Sequence, residues 1–226
     1  MHCGVRGVSY AGFSQHRSVL PDRNELRNPQ RQLTSDRWQQ VKKIRMEKLN
    51  MLDLKLTEIQ KELNDILENI DFEFICEFNM ENCESNIPWN LITNPGIYFL
   101  EIKNNKRFET FTDWINDFKK EWEDPKYKWR FVPNLKQKRI QMHTELKEWI
   151  PIYIGKSHNI KDRIHQHIYK ELEQNTFALK LKARENMKNE TFRLSMIKLE
   201  IKNYDWIVPK FENKLRNKYN PLIGKQ

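Results

Sequence analysis

Residues 150–168 read IPIYIGKSHNIKDRIHQHI. The opening run to Gly155 is apolar and β-prone, short enough for one strand. Asn159 then stands where a helix cap is wanted, and a helix is expected from there to about Gln174. Between Ile152 and Ile168 lie Tyr153, Lys156, Arg163 and three histidines. Proton-exchanging and cationic groups are too dense here for an ordinary core element, so the stretch reads as one half of a site.

Upstream, residues 91–105 read LITNPGIYFLEIKNN. Pro95-Gly96 is a turn signal and Ile97–Ile102 a second short strand. Downstream, residues 192–201 alternate well enough for a third strand, preceded by a helix over 177–188. Pro209 opens a last helix, which Asn220-Pro221 closes. Strand, strand, helix, helix, strand, helix is a small α+β arrangement. No glycine-rich phosphate loop occurs, so no nucleotide cofactor is expected.

The chain has 226 residues, a net charge of +9 and a pI near 9.3. Residues 151–226 hold sixteen Lys and Arg against eight Asp and Glu, so much of the excess sits in the last third. Such a balance favours a polyanionic partner. The cysteines are Cys3, Cys76 and Cys83, an odd count without metal-site spacing, and a reduced, cytoplasmic protein is the simplest inference. No apolar run approaches the roughly 20 residues of a membrane span.

Residues 1–35 look foreign to the rest. They carry arginines but no lysine, and every lysine lies from Lys42 onward. They are expected to be a disordered leader or arm, either a basic transit-type segment or a mis-started one. Residues 36–90 form a helical extension that Ser35 or Asp36 caps. In it Leu49, Leu52, Leu56, Ile59, Leu63, Ile66 and Ile70 recur at spacings of three and four. That seam suits a dimer contact or packing on its own domain. Residues 71–89 read as mixed and loop-like. Residues 91–226 form the remaining domain, with a long insertion at 103–149.

The two strand runs carry Gly96-Ile97-Tyr98 and Tyr153-Ile154-Gly155. Arg163 follows the second tripeptide within Arg163-Ile164-His165-Gln166-His167, and FENKLRNKYNPL brings Glu212 on the terminal helix. In this order the elements resemble the GIY-YIG nuclease family, over 96–102 and 150–224, and most closely its type II restriction endonucleases. The resemblance implies an antiparallel sheet of three core strands flanked by helices, and a metal-dependent endonuclease that hydrolyses phosphodiester bonds in double-stranded DNA.

It also implies roles. Tyr98 is the general base toward water, and Tyr153 orients it or shares its proton. Arg163 holds a phosphate oxygen, His167 hydrogen-bonds the phosphate or a tyrosine, and Lys156 contacts phosphate or lowers a tyrosine pKa. Glu212 is the metal ligand, for Mg²⁺ with Mn²⁺ as a substitute. Elementary chemistry agrees on the needs. A phenol with pKa about 10 is a weak base until cations lower it. One hard carboxylate suits Mg²⁺, which keeps most of its waters.

Two departures stand out. Gly224 occupies the register of the family's closing asparagine, with Asn220 nearby but out of register. The further histidine of homing-type members falls near Thr176. The insertion is the candidate DNA-reading element. In KYKWRF, Lys126, Lys128 and Arg130 interleave with aromatics, which suits phosphate contact or, equally, an edge strand with one packed face. His158 and His165 are candidate backbone contacts. A homodimer is expected on DNA. The alternatives are a repair or structure-specific nicking nuclease of the same family, and a non-catalytic DNA-binding module.

Overall fold

The computed structural model describes residues 29–105 and 108–224. The chain divides inside its first helix, α1 (Pro29–Asn69), into a unit ending at Glu62 and a compact unit beginning at Leu63. The leader expected over 1–35 lies outside the described residues up to residue 28. From Pro29 the chain is already helical, ahead of the cap expected at Ser35 or Asp36. In the first unit Leu49, Leu52, Leu56 and Ile59 are all exposed.

The second unit is α+β. In chain order it holds β1 (Glu73–Phe78), α2 (Cys83–Asn86), β2 (Gly96–Lys103), α3 (Phe111–Trp122), β3 (Asn134–Leu135), α4 (Gln137–Ile140), β4 (Trp149–Ser157), α5 (Ile160–Tyr169), β5 (Phe192–Lys198), α6 (Tyr204–Tyr219) and β6 (Ile223–Gly224). The main sheet is antiparallel throughout, in the order β1-β5-β2-β4. It therefore has four strands, not three. The extra strand is β1, in a stretch read as helical extension and loop. A bulge between Phe74 and Cys76 breaks its alternation, leaving Phe74 exposed while Cys76 and Phe78 turn inward.

The sheet separates two cores. One face carries Tyr98, Leu100, Ile102 and Tyr153 against α5 and the ring stack of α3. The other carries Ile97, Phe99, Ile154 and Ile197 against Val208, Phe211 and Leu215 of α6 and Leu67 of α1. The alternation of apolar residues along β2 onto both faces makes it the central strand. At the end of α1, Leu63, Leu67 and Ile70 pack inward while Ile66 stays exposed. The seam read from sequence thus shifts by one residue in this last turn.

Helix α5 starts as expected, with Asn159 accepting from the Asp162 N–H, but ends at Tyr169 rather than Gln174. The helix expected over 177–188 is instead a loop with two short 3-10 turns at Leu181–Ala183 and Glu185–Met187. Lys180, at φ 58°, sends its Nζ to the carbonyls of Leu172 and Gln174. Buried Arg184 donates to the carbonyls of Leu179, Trp122 and Tyr127. Two side chains thus tie this loop to carbonyls of neighbouring segments and of the loop itself.

The described residues of the insertion form elements of their own. Thr110 caps α3, whose Phe111, Trp114, Ile115, Phe118 and Trp122 face the core. KYKWRF is no strand: Pro125–Tyr127 is a 3-10 turn, and of its aromatics Tyr127 is buried and Trp129 exposed. Strand β3 pairs with β6, so the insertion is stitched to the chain's last described residues. Helix α6 begins at Tyr204, a turn before Pro209, which lies inside it. No helix among the described residues is long and apolar enough to cross a membrane.

Candidate active site

Antiparallel register sets Tyr98 opposite Gly155 and Leu100 opposite Tyr153. The two tyrosines are therefore diagonal neighbours on one face, their rings stacked at 6.1 Å with an 18° tilt. The glycine is required by this crossing. A Cβ on residue 155 would lie 2.2 Å from the Tyr98 hydroxyl oxygen. At Gly96 a Cβ would lie 2.1 Å from the Ile197 carbonyl of β5. Both glycines of the paired tripeptides thus permit close approach rather than a turn.

His167 of α5 is fully buried against the pair. Its Nε2 is 2.8 Å from the Tyr98 hydroxyl, and its Nδ1 accepts the backbone N–H of Leu179 at 3.0 Å. An accepting Nδ1 on a neutral ring leaves the proton on Nε2. His167 therefore donates to the Tyr98 oxygen. Burial, then Arg163, holds its pKa well below the ordinary imidazole value, so the ring stays neutral. Burial and Tyr153 raise the Tyr98 pKa well above that of a free phenol, and Arg163 opposes them. Of the two roles expected for His167, the structure provides the tyrosine contact. With no exposed surface, the ring cannot meet a phosphate.

Arg163 sits one turn before His167 on α5 and is half-buried. It donates to the Gln166 side chain at 2.7 Å and to the Phe177 carbonyl at 2.5 Å. Burial works against its charge, but Tyr98 and Tyr153 outweigh that and raise its pKa. The 177–179 segment thus fixes both Arg163 and His167.

Glu212 projects from α6, 9% exposed. Its Oε1 pairs with Arg216 at 2.7 Å, and Arg216 also donates to the Ile154 carbonyl of β4 at 3.0 and 3.2 Å. Arg216 thereby fixes the carboxylate to the strand that carries Tyr153. Burial raises the Glu212 pKa, and Arg216, Lys156, Arg139 and Arg163 counter it. Among the described residues no three His, Cys, Asp or Glu side chains gather as a metal cluster. A divalent ion here would rest on one carboxylate, substrate oxygens and water, a hard-oxygen set that fits Mg²⁺.

Lys156, Arg163, Asn159 and Tyr204 are among the residues lining an open cleft of about 410 Å³. His158, at its rim, bonds Asp205 at 2.9 Å and stacks on Tyr204 at 4.1 Å. The other residues expected to touch DNA lie elsewhere. His165 stacks on Tyr169 and faces Trp89. Lys126, Lys128 and Arg130 are exposed on the turn after α3 and do not line the cleft. Gly224 lies in β6, where a Cβ would meet nothing within 4 Å, so an asparagine would have room there. Asn220 is the left-handed cap of α6, and its carbonyl accepts from His143.

Two site residues escaped sequence reading. Arg216 was legible as an i, i+4 partner of Glu212. Arg139 was not, because only the β3–β6 pairing brings it near. No family model, curated protein or solved structure matches the chain.

Proposed function

We propose that this chain is a Mg²⁺-dependent endonuclease of the GIY-YIG type that hydrolyses double-stranded DNA, in the manner of a sequence-specific restriction enzyme. The observation that carries the reading is the convergence of Tyr98, Tyr153, Arg163, His167 and Glu212, from β2, β4, α5 and α6, with Arg163 reaching from them into a cleft that Lys156 also lines. β2, the β4–α5 pair and α6 are far apart in sequence. A structural role alone gives no reason to bury two tyrosines and a neutral histidine beside an arginine and a carboxylate.

The chemistry follows from the bonds present. The attacking water must lose a proton as its oxygen joins phosphorus and the bond to the 3′-oxygen breaks. Tyr98 accepts that proton only as the phenolate. The Nε2–H of His167 and the charge of Arg163 stabilise that anion, against the burial and Tyr153 that oppose it. Arg163 also faces the cleft, where it meets a non-bridging phosphate oxygen. Lys156, exposed and without a side-chain hydrogen bond or ion pair among the described residues, adds charge at the same rim. Glu212 would hold the metal through the oxygen that Arg216 leaves free, and the ion would supply positive charge at the phosphate and the leaving oxygen.

Cutting both strands of a symmetric site calls for two copies. We assign that contact to the exposed Leu49, Leu52, Leu56 and Ile59 stripe of α1, which as a parallel pair would set Lys48 against Asp53 of the other copy. Lys126, Lys128, Arg130 and the exposed Trp129 form a second basic, aromatic surface suited to the duplex.

The test is to incubate purified protein with long duplex DNA and Mg²⁺, with EDTA controls and light scattering for mass. Discrete metal-dependent fragments are expected. Nicks alone would move the reading to a structure-specific nuclease. Binding without cleavage, with Mn²⁺ also tried, would leave a DNA-binding module.

A further inference from the structure

The insertion does more than lengthen the link between β2 and β4. Its segment 134–143 is laced to the residues that follow α6. Asn134 pairs with Gly224 and Leu135 with Ile223. The Lys136 N–H donates to the Leu222 carbonyl at 2.8 Å, and His143 Nε2 donates to the Asn220 carbonyl at 2.8 Å. Leu222 in turn donates to the Pro151 carbonyl of β4 at 3.0 Å. This stitching holds the single turn of α4 at the C-terminal end of α6, the end that carries Arg216.

Two cations come with it. Arg139 and Lys136 are both partly buried, and neither side chain has a hydrogen bond or ion pair among the described residues. Arg139 lies within electrostatic reach of Arg216, which repels it, and of Glu212, which attracts it, and Lys136 feels both arginines. The carboxylate cannot serve Arg139 as a close partner, because its Oε1 is already held by Arg216. With Arg216, Lys156 and Arg163, Arg139 is one of four cations whose charge reaches Glu212, and Lys136 lies within reach of two of them. The Arg139 guanidinium reaches solvent, and its five N–H donors suit an anion that carries several acceptor oxygens.

We propose that α4 is a phosphate-binding arm, in which Arg139, helped by Lys136, holds a backbone phosphate of the DNA beside the one that is cut. The proposal rests on the nuclease reading above and names a role for the insertion within it. Phosphate contacts fix register without reading sequence. The arm therefore sets where along the strand the scissile phosphate meets Tyr98 and Arg163, while base reading falls to other parts of the surface.

The experiment measures binding of a fluorescein-labelled mixed-sequence duplex in EDTA across a salt series, and cleavage in Mg²⁺. It compares the full chain with Arg139→Ala, Arg139→Lys and Lys136→Ala. Arg139→Ala is expected to weaken binding on the order of tenfold at low salt. The slope of log K against log salt should fall by about 0.9 for each phosphate that is no longer neutralised. Arg139→Lys should keep the slope and most of the affinity. Thermal melting should be unchanged, since the side chain bonds nothing in the protein. If wild-type protein binds or cuts DNA while Arg139→Ala matches it in affinity and slope, the arm is refuted and the nuclease reading stands. An Arg139→Ala variant that loses affinity only along with its melting midpoint refutes the arm as well. If wild-type protein neither binds nor cuts, both fall together.

Discussion

The two halves of the cleft are built on opposite terms. Tyr98 and His167 are fully buried, bonded to each other and to the Leu179 backbone, and held neutral by burial. Glu212 is nearly buried but paired with Arg216, and beside that pair Arg139 is part-exposed and Lys156 exposed, neither with a side-chain hydrogen bond or ion pair among the described residues. The buried half keeps geometry fixed, because a polar atom there has no water to fall back on. The open half keeps charge available, because an anion entering it replaces water that is cheaply displaced. Substitutions in the first should move rate and stability together. Those in the second should move rate or affinity and leave stability nearly alone.

Glu212→Gln is the sharpest way to break that contrast. It preserves shape and removes the carboxylate that Arg216, Lys156, Arg139 and Arg163 face. Cleavage should fall by about a thousandfold or more. Affinity for duplex DNA should hold or rise, since the charge that opposes four nearby cations is then gone. Melting should shift little. Loss of binding together with cleavage would show that Glu212 shapes the cleft instead of holding a metal.

Tyr98→Phe should act on both axes. The rate is expected to drop by about 10²–10⁴ as the base is lost. The Nε2–H of His167 is also left unpaired in a dry site, at a cost of about 1–3 kcal/mol in unfolding free energy. A pH profile separates the two groups. A base works when deprotonated, so the rate rises with pH until its pKa is passed. The Tyr98 pKa is raised, which puts that limb on the alkaline side, and His167 stays neutral, so no step should appear in the imidazole range. An inflection near 6.5 that vanishes in His167→Gln would make the histidine the base instead.

Gly155→Ala tests the crossing itself. The added methyl would stand 2.2 Å from the Tyr98 oxygen and 2.9 Å from the Tyr153 ring. One of the rings must move, at about 1–3 kcal/mol of stability. Cleavage should fall with it, because the Tyr98–His167 bond depends on that ring position. Chemical denaturation and single-turnover cleavage read the two effects. A variant of normal stability and rate would mean the tyrosines tolerate displacement.

The same contrast explains what the sequence could disclose. Tyr98, Tyr153, Arg163, His167 and Glu212 were legible as an ordered set of motifs, to which strand alternation added the pairing of the tyrosines and helical spacing that of Arg163 with His167. The protonation of His167 was not, since it depends on an N–H from Leu179 in a segment whose residues favour a helix. There Lys180 and Arg184 override propensity with side-chain bonds to carbonyls. Strand β1 stayed hidden because its bulge spoils the period of two. Arg139 was beyond reach, for no local pattern foretells that two-residue strands at 134–135 and 223–224 will meet.

His165→Ala should have the smallest effect, and its smallness is informative. Residue 165 is two positions from both Arg163 and His167, which in a helix turns it about 200° away from them. It stacks on Tyr169 at 4.5 Å and faces Trp89 at 6.1 Å, in an aromatic group outside the cleft lining. The ring is exposed, so its removal forfeits little packing. Binding in EDTA and cleavage in Mg²⁺ should both stay within about twofold of wild type, with an unchanged salt slope. A slope reduced by about one would place a phosphate on this side of α5 and show that the duplex wraps past the cleft. In that case the face bearing Trp89 and Tyr169 would join α4 as part of the DNA-binding surface, and the division between a dry half that fixes geometry and a wet half that gathers phosphate would no longer follow the edge of the cleft.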